Sequence, residues 1–223
     1  MNSPASDELH QHLHRAGVIA VLILDDVEAA VPLARSLVAG GVDVMELTLR
    51  TPVALECLRR IRAEVPEMTA GVGTILTPSQ AQEAKAAGAH FGVAPGMNPR
   101  VVAEAARLDL PFAPGICTPT DIELAVEAGC RLLKFFPAGP SGGLPYLRSI
   151  GAPFAHLGVR YIPLGGVDQE NLESWLREPV VQAVGGSWLA PKELIQNRDW
   201  AAITGLALAA KAVVNKVRTG GAA

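Results

Sequence analysis

The pattern that most restricts this chain is a rhythm. A short apolar or β-branched run ends in a polar or glycine-rich turn, an Ala/Glu/Arg-rich segment with helical spacing follows, and the pair recurs. The apolar runs are Val18 to Leu24, Val42 to Leu49, Met68 to Thr74, His90 to Ala94, Pro111 to Pro114, Leu132 to Phe136, Val159 to Leu164 and Val180 to Val184. The helical candidates are Val27 to Ala39, Pro52 to Glu64, Pro78 to Ala87, Pro99 to Leu108, Thr120 to Ala128, Leu144 to Ile150, Gln169 to Arg177 and Trp200 to Val217. Several carry proline in the first turn, where its missing N–H costs nothing, and glycine just past the end, as at Gly40, Gly88 and Gly129. Strand–helix units of about 25 residues predict an α/β fold, a (β/α)8 TIM barrel, with a doubly wound open sheet as the alternative. No GxGxxG fingerprint opens the chain to favour the open sheet. Residues 1–16 read as an N-terminal helix and tail, with Ser6 to Ala16 helical and covering the bottom of the barrel; 218–223 read as a flexible tail. No low-complexity linker divides the 223 residues, so 1–223 is expected to form one domain.

Composition narrows the function classes. A net charge of −3, with no local Lys/Arg cluster, supplies no footprint for nucleic acid. Cys57, Cys117 and Cys130 are odd in number and form no CxxC pair, which suggests neither a disulfide framework nor a zinc site. Reduced thiols, an N-terminus without the basic and apolar regions of a signal peptide, and the lack of a long apolar stretch predict a soluble, cytoplasmic protein away from the membrane.

Within this frame one lysine stands out. Lys134 interrupts the apolar run Cys130 to Pro137, whereas Lys85, Lys192, Lys211 and Lys216 sit in polar or helical surroundings. Burial disfavours the charged form, so an amine here is expected to titrate below its free value of ~10.4, toward ~7 to 8, and to act as a nucleophile toward ketones. The plainer reading is a lysine that snorkels at a strand end.

Catalytic groups of such barrels come from the carboxyl ends of several strands. Period-two alternation puts Glu46, Thr48 and Arg50 on one face at the end of the second run, opposite Leu47 and Leu49. The third run ends in Gly71, Val72, Gly73 and Thr74, the fourth at Ala94, Pro95 and Gly96, and the sixth at Lys134, Phe135 and Phe136. An acid/base carboxylate, a planar carboxylate binder, a hydroxyl and an amine therefore gather on one rim, although Glu46 and Arg50 alone would read as a surface ion pair. The seventh and eighth runs end in Gly165, Gly166 and in Gly185, Gly186, Ser187. Loops after these two strands are the usual phosphate site of such barrels.

On these residues the chain resembles the 2-keto-3-deoxy-6-phosphogluconate (KDPG) aldolase / 4-hydroxy-2-oxoglutarate aldolase family. The resemblance rests on AGGVDVMELTLRT from Ala39, GVGTILTP from Gly71, APG from Ala94, PGICTPTD from Pro114, KFFPA from Lys134 and GGSWLAP from Gly185. It implies a class I aldolase of the Entner–Doudoroff pathway, a homotrimer with no metal and no cofactor, cleaving a phosphorylated keto acid to pyruvate and glyceraldehyde 3-phosphate. It also implies Lys134 as the Schiff-base lysine, Glu46 as general acid/base, Arg50 and Thr74 on the pyruvate carboxylate, and Pro95 and Phe136 as pocket walls. Gly165, Gly166, Gly185, Gly186 and Ser187 would meet the phosphate. One position departs: Leu164 stands where a hydroxyl residue is usual near the substrate C4 hydroxyl, so the galactonate epimer and 4-hydroxy-2-oxoglutarate stay open as substrates. Cys117, where serine is common, is a smaller departure. A phosphosugar epimerase or isomerase and a phosphometabolite-binding module are the other readings. His10, His12 and His14 read as solvated helix positions, and Trp175, Trp188 and Trp200 as packing or interface residues.

Overall fold

The computed structural model describes residues 4–219. Its strands are β1 (Val18–Leu22), β2 (Val44–Thr48), β3 (Thr69–Gly73), β4 (Gly92–Val93), β5 (Phe112–Ala113), β6 (Gly115–Ile116), β7 (Leu132–Phe135), β8 (Arg160–Pro163) and β9 (Val184–Gly186). The helices are α1 (Pro4–Ala16), α2 (Ala30–Ala39), α3 (Ala54–Glu64), α4 (Pro78–Ala86), α5 (Pro99–Arg107), α6 (Pro119–Glu127), α7 (Gly143–Gly151), α8 (Leu172–Leu176), α9 (Lys192–Gln196) and α10 (Trp200–Thr219). Parallel pairing runs β5–β4–β3–β2–β1–β9 on one side and β6–β7–β8 on the other. Bridges Tyr161↔Val181 and Leu164↔Gly185 join β8 to the β9 run, and β5 continues into β6 through Pro114, so the sheet closes into the expected (β/α)8 barrel.

Pro114 explains why one barrel position holds two strand fragments. It has no N–H to give to a ladder, yet its carbonyl accepts from Lys134 N at 2.9 Å. Pairing thus passes from β4, on the Phe112–Ala113 side, to β7 on the Gly115–Ile116 side.

Side chains divide by strand face. Ile19, Val44, Phe91, Val93, Ala113, Leu132, Ile162, Leu164 and Ala183 point into the barrel, where Leu13 and Ala16 of α1 join them. The helix at the bottom is therefore a plug, and it is tied down by Gln182 Nε2 donating to His10 O and Lys211 Nζ donating to Arg15 O and Ala16 O. Alternate residues such as Leu47, Val72, Leu133 and Phe135 face the helix layer. Each fully buried Leu, Ile or Phe contributes ~1.5–3 kcal/mol of transfer free energy.

Helix starts follow their caps. Thr77 and Gln80 form a capping box ahead of α4, Thr118 and Asp121 do the same for α6, and Asn98 caps α5, each followed by proline.

Several boundaries differ from the sequence reading. The fourth strand shrinks to two residues, and the eighth lies later than expected, because Gly185 and Gly186 belong to β9 and pair with Ile19 and Ala20. Helix α8 covers only part of 169–177, and α9 was not anticipated. Arg218 and Thr219, expected in the tail, finish α10; Arg218 Nη2 donates to Gln182 O and Thr219 Oγ1 to Asn215 O. Residues 220–223 lie outside the described residues, as do 1–3. By length and composition α10 is apolar enough to cross a membrane, which the sequence reading did not register. Here it packs on the barrel through Ile203, Ala207, Ala210 and Val214, while Lys216 pairs with Glu173.

Candidate active site

β2 and β7 stand four positions apart in a ring of eight, so they face each other across the lumen. Glu46 and Lys134 point inward from these two strands and meet. Lys134 Nζ lies 3.0 Å from Glu46 Oε1 and 3.3 Å from Oε2. Both residues are buried, at 5% and 2% exposed. The snorkelling alternative fails: the amine stays inside and has a carboxylate partner. It also sits 5.6 Å from the centroid of the Phe136 ring.

Gly73 makes that meeting possible. A Cβ on it would overlap Glu46 Oε1, so glycine on the neighbouring strand leaves the space the carboxylate fills. Thr48, one inward position beyond Glu46, donates its hydroxyl to Leu22 O at 3.1 Å and braces β2 against β1.

Around the pair lies a cavity of about 290 Å³ at the carboxyl ends of the strands. Arg50, Thr74, Pro95, Phe136, Leu164, Gly165, Gly166, Gly185, Gly186 and Ser187 all line it with Glu46 and Lys134, so every residue given a catalytic, binding or specificity role from sequence is brought together. Arg50 lies two residues past the end of β2 and is exposed, and among the described residues its guanidinium has no hydrogen-bond or ion-pair partner. Thr74 occupies the left-handed region at φ 60, uncommon for a β-branched residue and a strain of order 1–3 kcal/mol that clusters at ligand sites. Gly165 and Gly166 are also left-handed, at φ 83 and 82. Leu164 is buried, its side chain seated where a Cβ on Gly185 would be.

Other residues lining the cavity were not singled out. Val21, Ile23, Val167, Ala190, Lys192 and Ile195 are among them, and Thr48 was placed on the right face without being given a role. Lys192 and Ile195 arrive on α9, too short to show as a periodic pattern. Cys117 lies outside the cavity lining; its Sγ is 3.1 Å from Ser141 Oγ, and its carbonyl accepts from Tyr146. A larger cavity, about 410 Å³, opens at the opposite end of the barrel among Leu9, Leu13, Phe91 and Phe112. None of the residues assigned a catalytic or substrate-binding role from sequence lines it, so chemistry and not size marks the site. Among the described residues no cluster of three or more His, Cys, Asp or Glu side chains could hold a metal.

The arrangement offers a buried amine, a proton acceptor in contact with it and an open guanidinium, in a cavity closed by glycine loops. The family model of KDPG and KHG aldolases matches residues 9–206. The chain belongs to that family. It is 44% identical over 198 residues to the 2-dehydro-3-deoxy-phosphogluconate aldolase of Treponema pallidum, covering 89% of this chain and 93% of that one. It is 40% identical over 190 residues to the KHG/KDPG aldolase of Escherichia coli K12, covering 85% and 88%. A crystal structure of KDPG aldolase from Legionella pneumophila, with pyruvate captured as a covalent carbinolamine, superposes with a TM-score of 0.86. The two are 37% identical, over 90% of this chain and 97% of that one. This KDPG/KHG aldolase family member carries an amine–carboxylate pair at the carboxyl end of its barrel.

Proposed function

We propose that this protein is a class I aldolase that cleaves 2-keto-3-deoxy-6-phosphogluconate to pyruvate and glyceraldehyde 3-phosphate through a Schiff base on Lys134. The observation that carries the reading is the buried Lys134–Glu46 contact at 3.0 Å. A proton passed across it leaves a neutral amine facing the cavity. That amine adds to the C2 ketone, and the proton held by Glu46 goes to the departing hydroxyl, so that loss of water gives a protonated imine as electron sink and restores the Glu46 carboxylate. Glu46 takes the C4 hydroxyl proton as the C3–C4 bond breaks, releasing the aldehyde and leaving the enamine of pyruvate. The same carboxyl group returns a proton to the methylene carbon, and hydrolysis frees the product.

Arg50 suits the substrate carboxylate because its planar fork matches two oxygens and no side chain among the described residues occupies it. Thr74 supplies a hydroxyl beside it, and Pro95 and Phe136 wall the pyruvyl end. Backbone at Gly165, Gly166, Gly185 and Gly186, with Ser187, suits the phosphate. The resemblance supports a homotrimer, and three free thiols suit the cytoplasm.

Leu164 favours a second reading of specificity. An apolar side chain at the cavity cannot hydrogen-bond a C4 hydroxyl, so 2-keto-3-deoxy-6-phosphogalactonate and 4-hydroxy-2-oxoglutarate are further substrates of this site. Comparing cleavage of the two C4 epimers by wild type and Leu164→Thr checks this: the threonine should widen the preference, and an unchanged ratio would remove Leu164 from selection. The main reading is tested by borohydride reduction in the presence of pyruvate, followed by mass mapping. The adduct should sit on Lys134; labelling elsewhere, or none, overturns it.

A further inference from the structure

The cavity carries more positive charge than the chemistry of the imine uses. Its charged lining consists of Glu46, Arg50, Lys134 and Lys192. Lys134 and Glu46 balance each other, which leaves Arg50, after β2, and Lys192, after β9, as two further cations lining the cavity. A substrate with a carboxylate at one end and a phosphate at the other has two anionic ends. Resting on the aldolase reading above, we propose that Lys192 is a specificity-determining residue, recruited to the substrate's phosphate so that phosphorylated keto acids are preferred over unphosphorylated ones.

Position supports this. Lys192 opens α9 five residues beyond Ser187, and Ala190 and Ile195 on either side of it also line the cavity. Ile195 is 7% exposed, which fixes the backbone while the lysine stem stays free. Among the described residues the ammonium has one charged partner, Asp25 in the segment after β1, at 3.4 Å, with the two side chains 64% and 55% exposed. That spacing is longer than the ~2.7–2.9 Å of a charge-assisted hydrogen bond, and exposed pairs of this kind contribute little. The next acid, Asp26, is committed elsewhere, accepting from Glu28 N and pairing with Arg198. A phosphate monoester carries ~1.5 to 2 negative charges at pH 7 and three acceptor oxygens, so it outcompetes a single distant carboxylate for Lys192. Lysine suits the task as a flexible point charge, and the glycine loops supply the directional N–H donors.

The test separates recognition of phosphate from general damage. In Lys192→Gln, KM for 2-keto-3-deoxy-6-phosphogluconate should rise on the order of tenfold, the loss of one charge-assisted contact, with kcat little altered. KM for unphosphorylated 2-keto-3-deoxygluconate should not move, and Lys192→Arg should restore most of the affinity for the phosphorylated substrate. Borohydride trapping of pyruvate on Lys134 should proceed as in the unmutated protein, because pyruvate has no phosphate. Equal changes with both substrates, or none with either, would overturn the assignment of Lys192 alone. Failure to trap pyruvate in the unmutated protein would overturn the aldolase reading and this inference with it.

Discussion

Substituting Gly73 with alanine should disable the enzyme through a residue that has no chemistry of its own. The added Cβ would overlap Glu46 Oε1 and crowd its Cδ and Cγ, and these belong to a side chain fixed inside the barrel. Backbone on β3 cannot retreat, since Gly73 pairs with Thr48 and its carbonyl accepts from Leu49 N at 2.9 Å. The carboxylate must therefore withdraw from Lys134, taking a 3.0 Å contact beyond the ~3.5 Å limit of a hydrogen bond. Overpacking alone costs ~1–3 kcal/mol. Parting a buried ion pair costs ~3–5 kcal/mol when one charge is left uncompensated, so the stability loss should lie between ~1 kcal/mol, if the pair re-forms, and ~5 kcal/mol, if it does not. A misplaced acid/base group forfeits ~10²- to 10⁴-fold in kcat. Urea unfolding and steady-state cleavage measure the two effects separately. Glu46→Gln should lose kcat in the same range, and adding Gly73→Ala to it should cost stability but almost no further kcat, since the group it displaces is already inert. A folded Gly73→Ala variant with wild-type kcat, or additive kcat losses in the double variant, would refute the reasoning.

Arg50→Lys should raise KM for pyruvate-forming substrates by about tenfold or more, because an ammonium cannot present the paired donors of a guanidinium; steady-state kinetics would show it. His90 gives a pH signature unrelated to catalysis. Its pKa is lowered from 6.5, first by burial and then by the nearby Arg62, and Ala70 N donates to its Nδ1 at 3.1 Å. A depressed folded pKa means stability that is complete above pH 6.5 and lost as pH falls below it. His90→Gln should therefore flatten the fall in urea midpoint between neutral pH and about pH 5. An unchanged slope would assign the effect to other groups.

The layout is written in the chain's local patterns. Alternation of apolar runs with capped helices is a local property, and it marks eight strand positions, a helix covering the bottom and a parallel barrel. Period two within a strand put Glu46 and Arg50 on one face, and an ionisable residue inside an apolar run marked Lys134. Boundaries were less legible where neighbours in space overrode local preference. Gly185 and Gly186 look like a turn, yet they lie in β9 because small residues let Leu164 and Trp188 pack against that backbone.

Which side chains touch is settled by the closing of the barrel. Glu46 and Lys134 are 88 residues apart and meet because barrel closure sets their strands on opposite walls. That an alanine at Gly73 would break the pair, that Arg50 has no partner among the described residues and that Lys192 reaches the same cavity from a five-residue helix all depend on that closure. Periodicity reports which way a side chain points relative to its own strand. The width of the barrel and the order of its strands decide what waits on the other side.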